Sequence, residues 1–189
     1  YNGPKYHCML YAPLAITLYF VSEPFISLWV GSNYLKYIWI IKLSIIFQLL
    51  WQSNALVGSI FYGLGKSKKI GIIAIITGFL NLLFSLILVQ YFGFTGVILG
   101  TIFVGSISVP FEYFWVFPDF KIKLKLYLQN IFLKVQLPLV LISVFLSQFE
   151  HFLKYINSWS ELITTTLFLT FFLYLFTIFL LNKDERKII

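Results

Sequence analysis

Charge is scarce in this chain. Of 189 residues only 11% are Asp, Glu, Lys or Arg, against about a quarter in a soluble globular domain. That shortage excludes a disordered segment, a nucleic-acid-binding arm and an ordinary soluble enzyme. Cysteine is nearly missing as well: the lone Cys8 excludes an internal disulfide and a cysteine metal cluster. His7 and His151 are the only histidines, isolated and outside the apolar runs, so no metal site is expected. Catalytic signals are lacking too. Gly65-Lys66-Ser67 ends like a phosphate-binding loop, but Ile60 stands where that loop needs Gly. It also joins two apolar stretches rather than a strand and a helix. No serine, histidine and carboxylate are arranged for nucleophilic work. The expectation is a protein that is not an enzyme and uses no cofactor.

What is present is apolar and aromatic surface. Sixty per cent of the residues are apolar and 21% aromatic, with 22 Phe and 12 Tyr. One soluble core would not bury so much; lipid can solvate it. The chain therefore reads as an all-α integral membrane protein in contact with membrane lipid. Fourteen Lys and Arg against seven Asp and Glu give a net charge of +7. These cations cluster beside apolar runs, where they act as topology signals rather than as a nucleic-acid footprint. The chain opens on Tyr1 rather than Met, and no small-residue cleavage site follows its first apolar run. The expectation is the C-terminal part of something longer.

A helix needs about 20 apolar residues to cross the hydrocarbon layer. Six segments qualify: Met9–Val30, Leu35–Leu64, Ile70–Phe92, Gly96–Phe117, Ile131–Phe149 and Leu162–Leu181. Gly31-Ser32-Asn33, Gly65 to Lys69, Gly93 to Gly96 and Pro118-Asp119 punctuate them. The ten-residue alternation of a membrane β-barrel is missing. One set of ends holds ten cations, namely Lys5, Lys66, Lys68, Lys69, Lys121, Lys123, Lys125, Lys183, Arg186 and Lys187. The opposite ends hold two, Lys36 and Lys154. The positive-inside rule then places both termini in the cytoplasm. Trp29, Trp39 and Trp159 fall at the outer interface and Trp115 at the inner one, whereas Trp51 falls mid-membrane. The alternating stretch Phe120 to Leu126 reads either as an interfacial segment whose lysines meet anionic headgroups or as a solvated loop.

Ionisable residues inside spans are costly and point to function. Glu23, Lys42, Glu112 and Lys134 qualify. Helices one and two turn near residues 32–33, so Glu23 and Lys42 lie at equal depth, roughly 10 Å from that turn at about 1.5 Å per residue. A salt bridge between them is expected, as a staple of the hairpin or as a gate or substrate contact. Pro24 is expected to kink helix one. Helix two is the most polar span: Gln48, Gln52 and Ser59 share one face, Lys42 and Ser53 another, and Asn54 a third. Helix three carries Thr77, Asn81 and Ser85 at four-residue spacing. Helix four carries Thr101, Gly105, Ser108 and Glu112, with Gly96-x-x-x-Gly100 and Pro110. Such stripes serve close helix packing or line a shared wet cavity, with Asn81 foremost among the candidates. Glu112 and Lys134 are expected to snorkel towards the cytoplasmic end, Glu112 towards Lys66, Lys68 or Lys121. Helices five and six, nearly all apolar, read as peripheral.

The segments Glu23-Pro24-Phe25-Ile26-Ser27-Leu28-Trp29-Val30-Gly31, Gly63-Leu64-Gly65-Lys66-Ser67-Lys68, Tyr91-Phe92-Gly93-Phe94-Thr95-Gly96 and Gly100-Thr101, around a helix centred on Asn81, form a recurrent pattern. Over residues 10–117 the chain resembles the C-terminal half of polysaccharide flippases of the multidrug/oligosaccharidyl-lipid/polysaccharide exporter superfamily. The resemblance implies a bacterial inner-membrane carrier that flips undecaprenyl-pyrophosphate-linked oligosaccharides for O-antigen or capsule assembly. It also implies two bundles around a cleft and 12 to 14 spans, so that this chain would supply one bundle and pair with an N-terminal bundle or a second chain. On this reading Gln48, Gln52, Asn54 and Asn81 bind the sugar. Lys42 meets the pyrophosphate, and Glu23 holds Lys42 or takes a coupling proton. A drug or metabolite exporter of the same superfamily, or a non-transporting subunit that scaffolds glycan assembly, are the alternatives.

Overall fold

The computed structural model describes residues 2–52, 55–65, 67–121 and 123–180, and all regular structure among them is helical. The helices are α1 (Asn2–Trp29), α2 (Ile38–Trp51), α3 (Ala55–Gly63), α4 (Ser67–Phe92) and α5 (Phe94–Trp115). They continue with α6 (Leu124–Leu128), a π-helical stretch Gln129–Gln136, α7 (Leu137–Ser147), α8 (Glu150–Leu153) and α9 (Trp159–Phe179). Among the described residues, five helical segments are long and apolar enough to cross a membrane: Gly3–Trp29, Ser67–Phe92, Phe94–Asp119, Leu124–Ser147 and Trp159–Phe179. The chain thus has the make-up of a multi-pass membrane protein.

The helices run alternately up and down. At the upper end, the Tyr37 and Phe94 rings meet at 4.7 Å and Phe25 meets Trp159 at 6.2 Å. At the lower end, Lys69 reaches Asp119 at 2.7 Å and Tyr113 stacks near Tyr127 at 5.6 Å. The core is built around α1. Its buried Cys8, Met9, Ala12, Ala15, Ile16 and Phe20 pack with Ile131, Val135 and Leu139 of the α6–α7 segment and with Leu173 of α9. Tyr174 donates to the Leu10 carbonyl at 2.6 Å and Thr170 to Thr17 at 3.2 Å, tying α9 to α1. Ser158 caps α9 by accepting from the Glu161 amide at 3.3 Å, while the Glu161 carboxylate accepts from the Asn157 amide at 3.0 Å. This is a serine–glutamate cap of the kind that opens helices.

The α4–α5 hairpin stands to one side, and Ile73 alone is buried among the described residues of α4. A single residue, Gly93, joins its two helices with φ 60° and ψ −147°. Only glycine adopts such a conformation without strain. Along the contact, a Cβ at Gly96 would run into the Leu88 backbone, and one at Gly100 would lie 2.8 Å from the Ser85 hydroxyl. The glycine spacing thus serves close backbone approach.

Three expectations on the spans need correction. The first helix begins at Asn2 rather than Met9, and Lys5, expected beyond its end, lies buried within it. The second expected span, Leu35–Leu64, starts its α-helix at Ile38 after a 3-10 turn over Ser32–Tyr37; α2 runs to Trp51 and α3 starts at Ala55, with residues 53 and 54 outside the described residues. The fifth span starts seven positions before Ile131, at Leu124, so 124–126 of the Phe120–Leu126 stretch are helical rather than a solvated loop. The reason lies in Tyr127, Ile131, Val135 and Leu139, all buried at a strict spacing of four. Four residues overrun an α-helical turn by about 40° at each step. The wider π turns over Gln129–Gln136 take that drift back and keep the stripe on the core. Pro24 sits inside α1, which continues through it to Trp29.

Candidate functional site

The polar stripes of α4 and α5 converge with α2. Thr77 and Asn81 of α4, Thr101 and Ser108 of α5 and Gln48 of α2 line one cleft of about 330 Å³, completed by Phe47, Trp51 and small residues. Gln48, Ala74, Gly78 and Thr101 are exposed along it, so it is open rather than sealed. Asn81 is its organising residue. Its side-chain oxygen accepts from Ser85 at 3.0 Å and from Thr101 at 3.2 Å. Neither bond uses the Asn81 NH₂ group. Gln48 donates to the Gln52 side-chain oxygen at 3.4 Å, and neither that bond nor any other among the described residues occupies the Gln48 side-chain oxygen. The Thr77 and Ser108 hydroxyls donate to their own helix backbones, at 2.8 Å to Ile73 and 3.1 Å to Gly105, and keep lone pairs for an incoming donor. The α4–α5 wall therefore offers the Asn81 amide and hydroxyls, and the α2 wall offers the Gln48 amide beside two rings.

Those rings explain Trp51. It packs beside Phe47 at 5.9 Å, and the end of the Phe47 ring sits where Gly105 has no side chain. Phe47 is thus the peg that fixes the hairpin to α2. Gln136, 3% exposed, donates to the Leu49 carbonyl at 3.2 Å. It comes from the π-helical stretch, a residue that spacing gave no reason to single out.

Of the expected residues, Gln48 and Asn81 line the cleft with Thr101 and Ser108, and Gln52 is bonded to Gln48. The others lie elsewhere or outside the described residues. Asn54 lies outside the described residues. Ser59 belongs to α3 and is no part of the cleft lining. Glu112 lies lower on α5, beside Gly58, Phe61 and Ile70. Of its expected partners, Lys68 and Lys121 make no ion pair with it among the described residues, and Lys66 lies outside them.

The expected Glu23–Lys42 bridge is replaced by two others. Lys42 pairs with Glu150 of α8, and Lys154 lies 3.9 Å from Glu23. Lys42 also sits over the Tyr19 ring at 5.1 Å. Equal depth on adjacent helices did not suffice, because the α7–α9 connection folds over the upper end and supplies a carboxylate to one charge and a cation to the other. Glu23 and Lys42 each face one opposite charge from residues 150–154. Among the described residues no three His, Cys, Asp or Glu side chains converge as metal ligands would. No protein-family model, curated protein or solved structure matches this chain.

Proposed function

We propose that this chain is one helical bundle of a carrier that moves lipid-linked oligosaccharides across the bacterial inner membrane for polysaccharide assembly. The observation that carries the reading is the open cleft in which Gln48, Asn81, Thr101 and Ser108 meet. Sugars are recognised by paired donors and acceptors, and amides supply both in one group. The cleft lining contains no carboxylate, which a pocket for cationic drugs would need. An exposed rather than buried Gln48 favours a carrier over a scaffold, whose amides would be sealed within packed helices. Lys42 lies outside this cleft, so the reading rests on amides and hydroxyls. The cation-rich lower end faces the cytoplasm on this reading.

The test is a Gln48→Ala, Asn81→Ala double variant in a host whose surface polysaccharide depends on this protein. Surface polysaccharide is lost while the membrane level of the protein stays at the wild-type value. Cysteines placed at 48, 52 and 81 react with a water-soluble thiol reagent. Wild-type polysaccharide in the double variant, or inert cysteines at all three positions, overturns the reading.

A further inference from the structure

A second cavity lies between α1, α2 and α7, on residues that the cleft does not use. It measures about 350 Å³ and runs along Ile16, Tyr19, Ile46, Leu49, Val140 and Val144. That volume falls in the roughly 300–1,000 Å³ range of small-molecule sites. Its two serines make no polar demand. Ser143 donates to the Leu139 carbonyl and Ser147 to the Val144 carbonyl, each at 2.7 Å. The groove opens sideways past Ile46, 46% exposed, and Val144, 60% exposed. Alkyl chain is what such a slot holds.

Its upper end is not apolar. Tyr19 lines the groove and lies under the Lys42 ammonium. Glu150 follows the lining residue Ser147 by three positions and pairs with that ammonium. The groove thus ends at one cation and one anion held side by side, with 16% and 25% of their side chains exposed. A singly charged headgroup would meet attraction from one and repulsion from the other. A zwitterionic headgroup complements both.

We propose that this groove is a binding site for a zwitterionic phospholipid of the leaflet at the upper end. One acyl chain lies along Ile46 and Val144, the phosphate faces Lys42, and the ammonium faces Glu150. The site is independent of the proposed glycan transport, and either stands if the other fails.

The test uses the chain purified in detergent, with phosphatidylethanolamine or phosphatidylglycerol bearing identical acyl chains. At tenfold above its dissociation constant the zwitterionic lipid raises Tm by roughly 3–6 °C, and the anionic lipid does not. Val144→Trp fills the groove and weakens phosphatidylethanolamine binding by about tenfold or more. Ile46→Trp does the same from α2 and serves if the first variant does not fold. Glu150→Gln leaves Lys42 without its counter-charge and transfers the preference to phosphatidylglycerol. Equal stabilisation by both lipids in the wild type, or unchanged binding in the tryptophan variants, overturns the proposal.

Discussion

Around α1 the helices are held by side chains, and between α4 and α5 they are held by the lack of them. The α1 cluster buries Ile16, Phe20, Ile131, Val135, Leu139 and Leu173 against one another. Most of the buried positions of α5 are small: Thr95, Gly96, Gly100, Gly105 and Ser108, with Val104 the exception. In lipid the hydrophobic effect does not push helices together, because the solvent is as apolar as leucine. Dispersion between well-fitted surfaces must then do it. That can come from interlocked bulk, or from backbones close enough to touch along their length. The first arrangement tolerates exchange of one apolar group for another of similar volume. The second tolerates no addition at all.

The comparison can be broken by adding atoms to one region and removing them from the other. Gly96→Ile should cost the most, above about 3 kcal/mol, because the obstacle is the Leu88 backbone rather than a mobile side chain. Reversible unfolding in mixed micelles would measure it. Leu139→Ala, at a fully buried position of the α1 cluster, should cost about 2–3 kcal/mol in the same assay. Should the leucine truncation exceed the glycine substitution, the two regions are not held by different means. Gln136→Leu should cost about 1–2 kcal/mol, since it deprives the buried Leu49 carbonyl of a donor. Amide exchange around Leu49 should rise with it. Gly105→Ala should cost about 1 kcal/mol and be relieved by Phe47→Leu, because the Phe47 ring end can withdraw. Thr101→Val should cost least, about 0.6 kcal/mol, the usual worth of a hydrogen bond between membrane helices.

The two regions also differed in how far the sequence disclosed them. The glycines at 96 and 100 and the polar stripe Thr77–Asn81–Ser85 announce the hairpin contact, because spacing on two adjacent straight helices maps directly onto facing surfaces. The polar groups of Asn81 and Thr101 were therefore legible as facing each other. Lys42 was not legible in the same way. Depth follows from counting residues, but its partner Glu150 sits 108 positions away on a short helix that no periodicity marks. The Gln136 bond to the Leu49 carbonyl was hidden for a related reason: its donor lies 87 positions along the chain, on another helix. The π-helical stretch was encoded in plain view by the four-residue spacing of Tyr127, Ile131, Val135 and Leu139, although an α-helical period conceals it.

The bond from Tyr174 to the Leu10 carbonyl joins residues 164 positions apart. Synthesis runs in one direction, so the helix made first among these must wait in the bilayer for the last. Of the five segments able to span, the first is also the least apolar. It therefore passes the early part of its life in the solvent that suits it least, with its future neighbours on α6, α7 and α9 not yet made. Truncating the chain before Trp159 would leave the part of that face that α9 covers permanently bare. A ribosome paused there would expose to quality-control proteases and insertion chaperones a helix that the finished protein keeps covered. The order of manufacture, as much as the final contacts, decides when this bundle becomes safe to release.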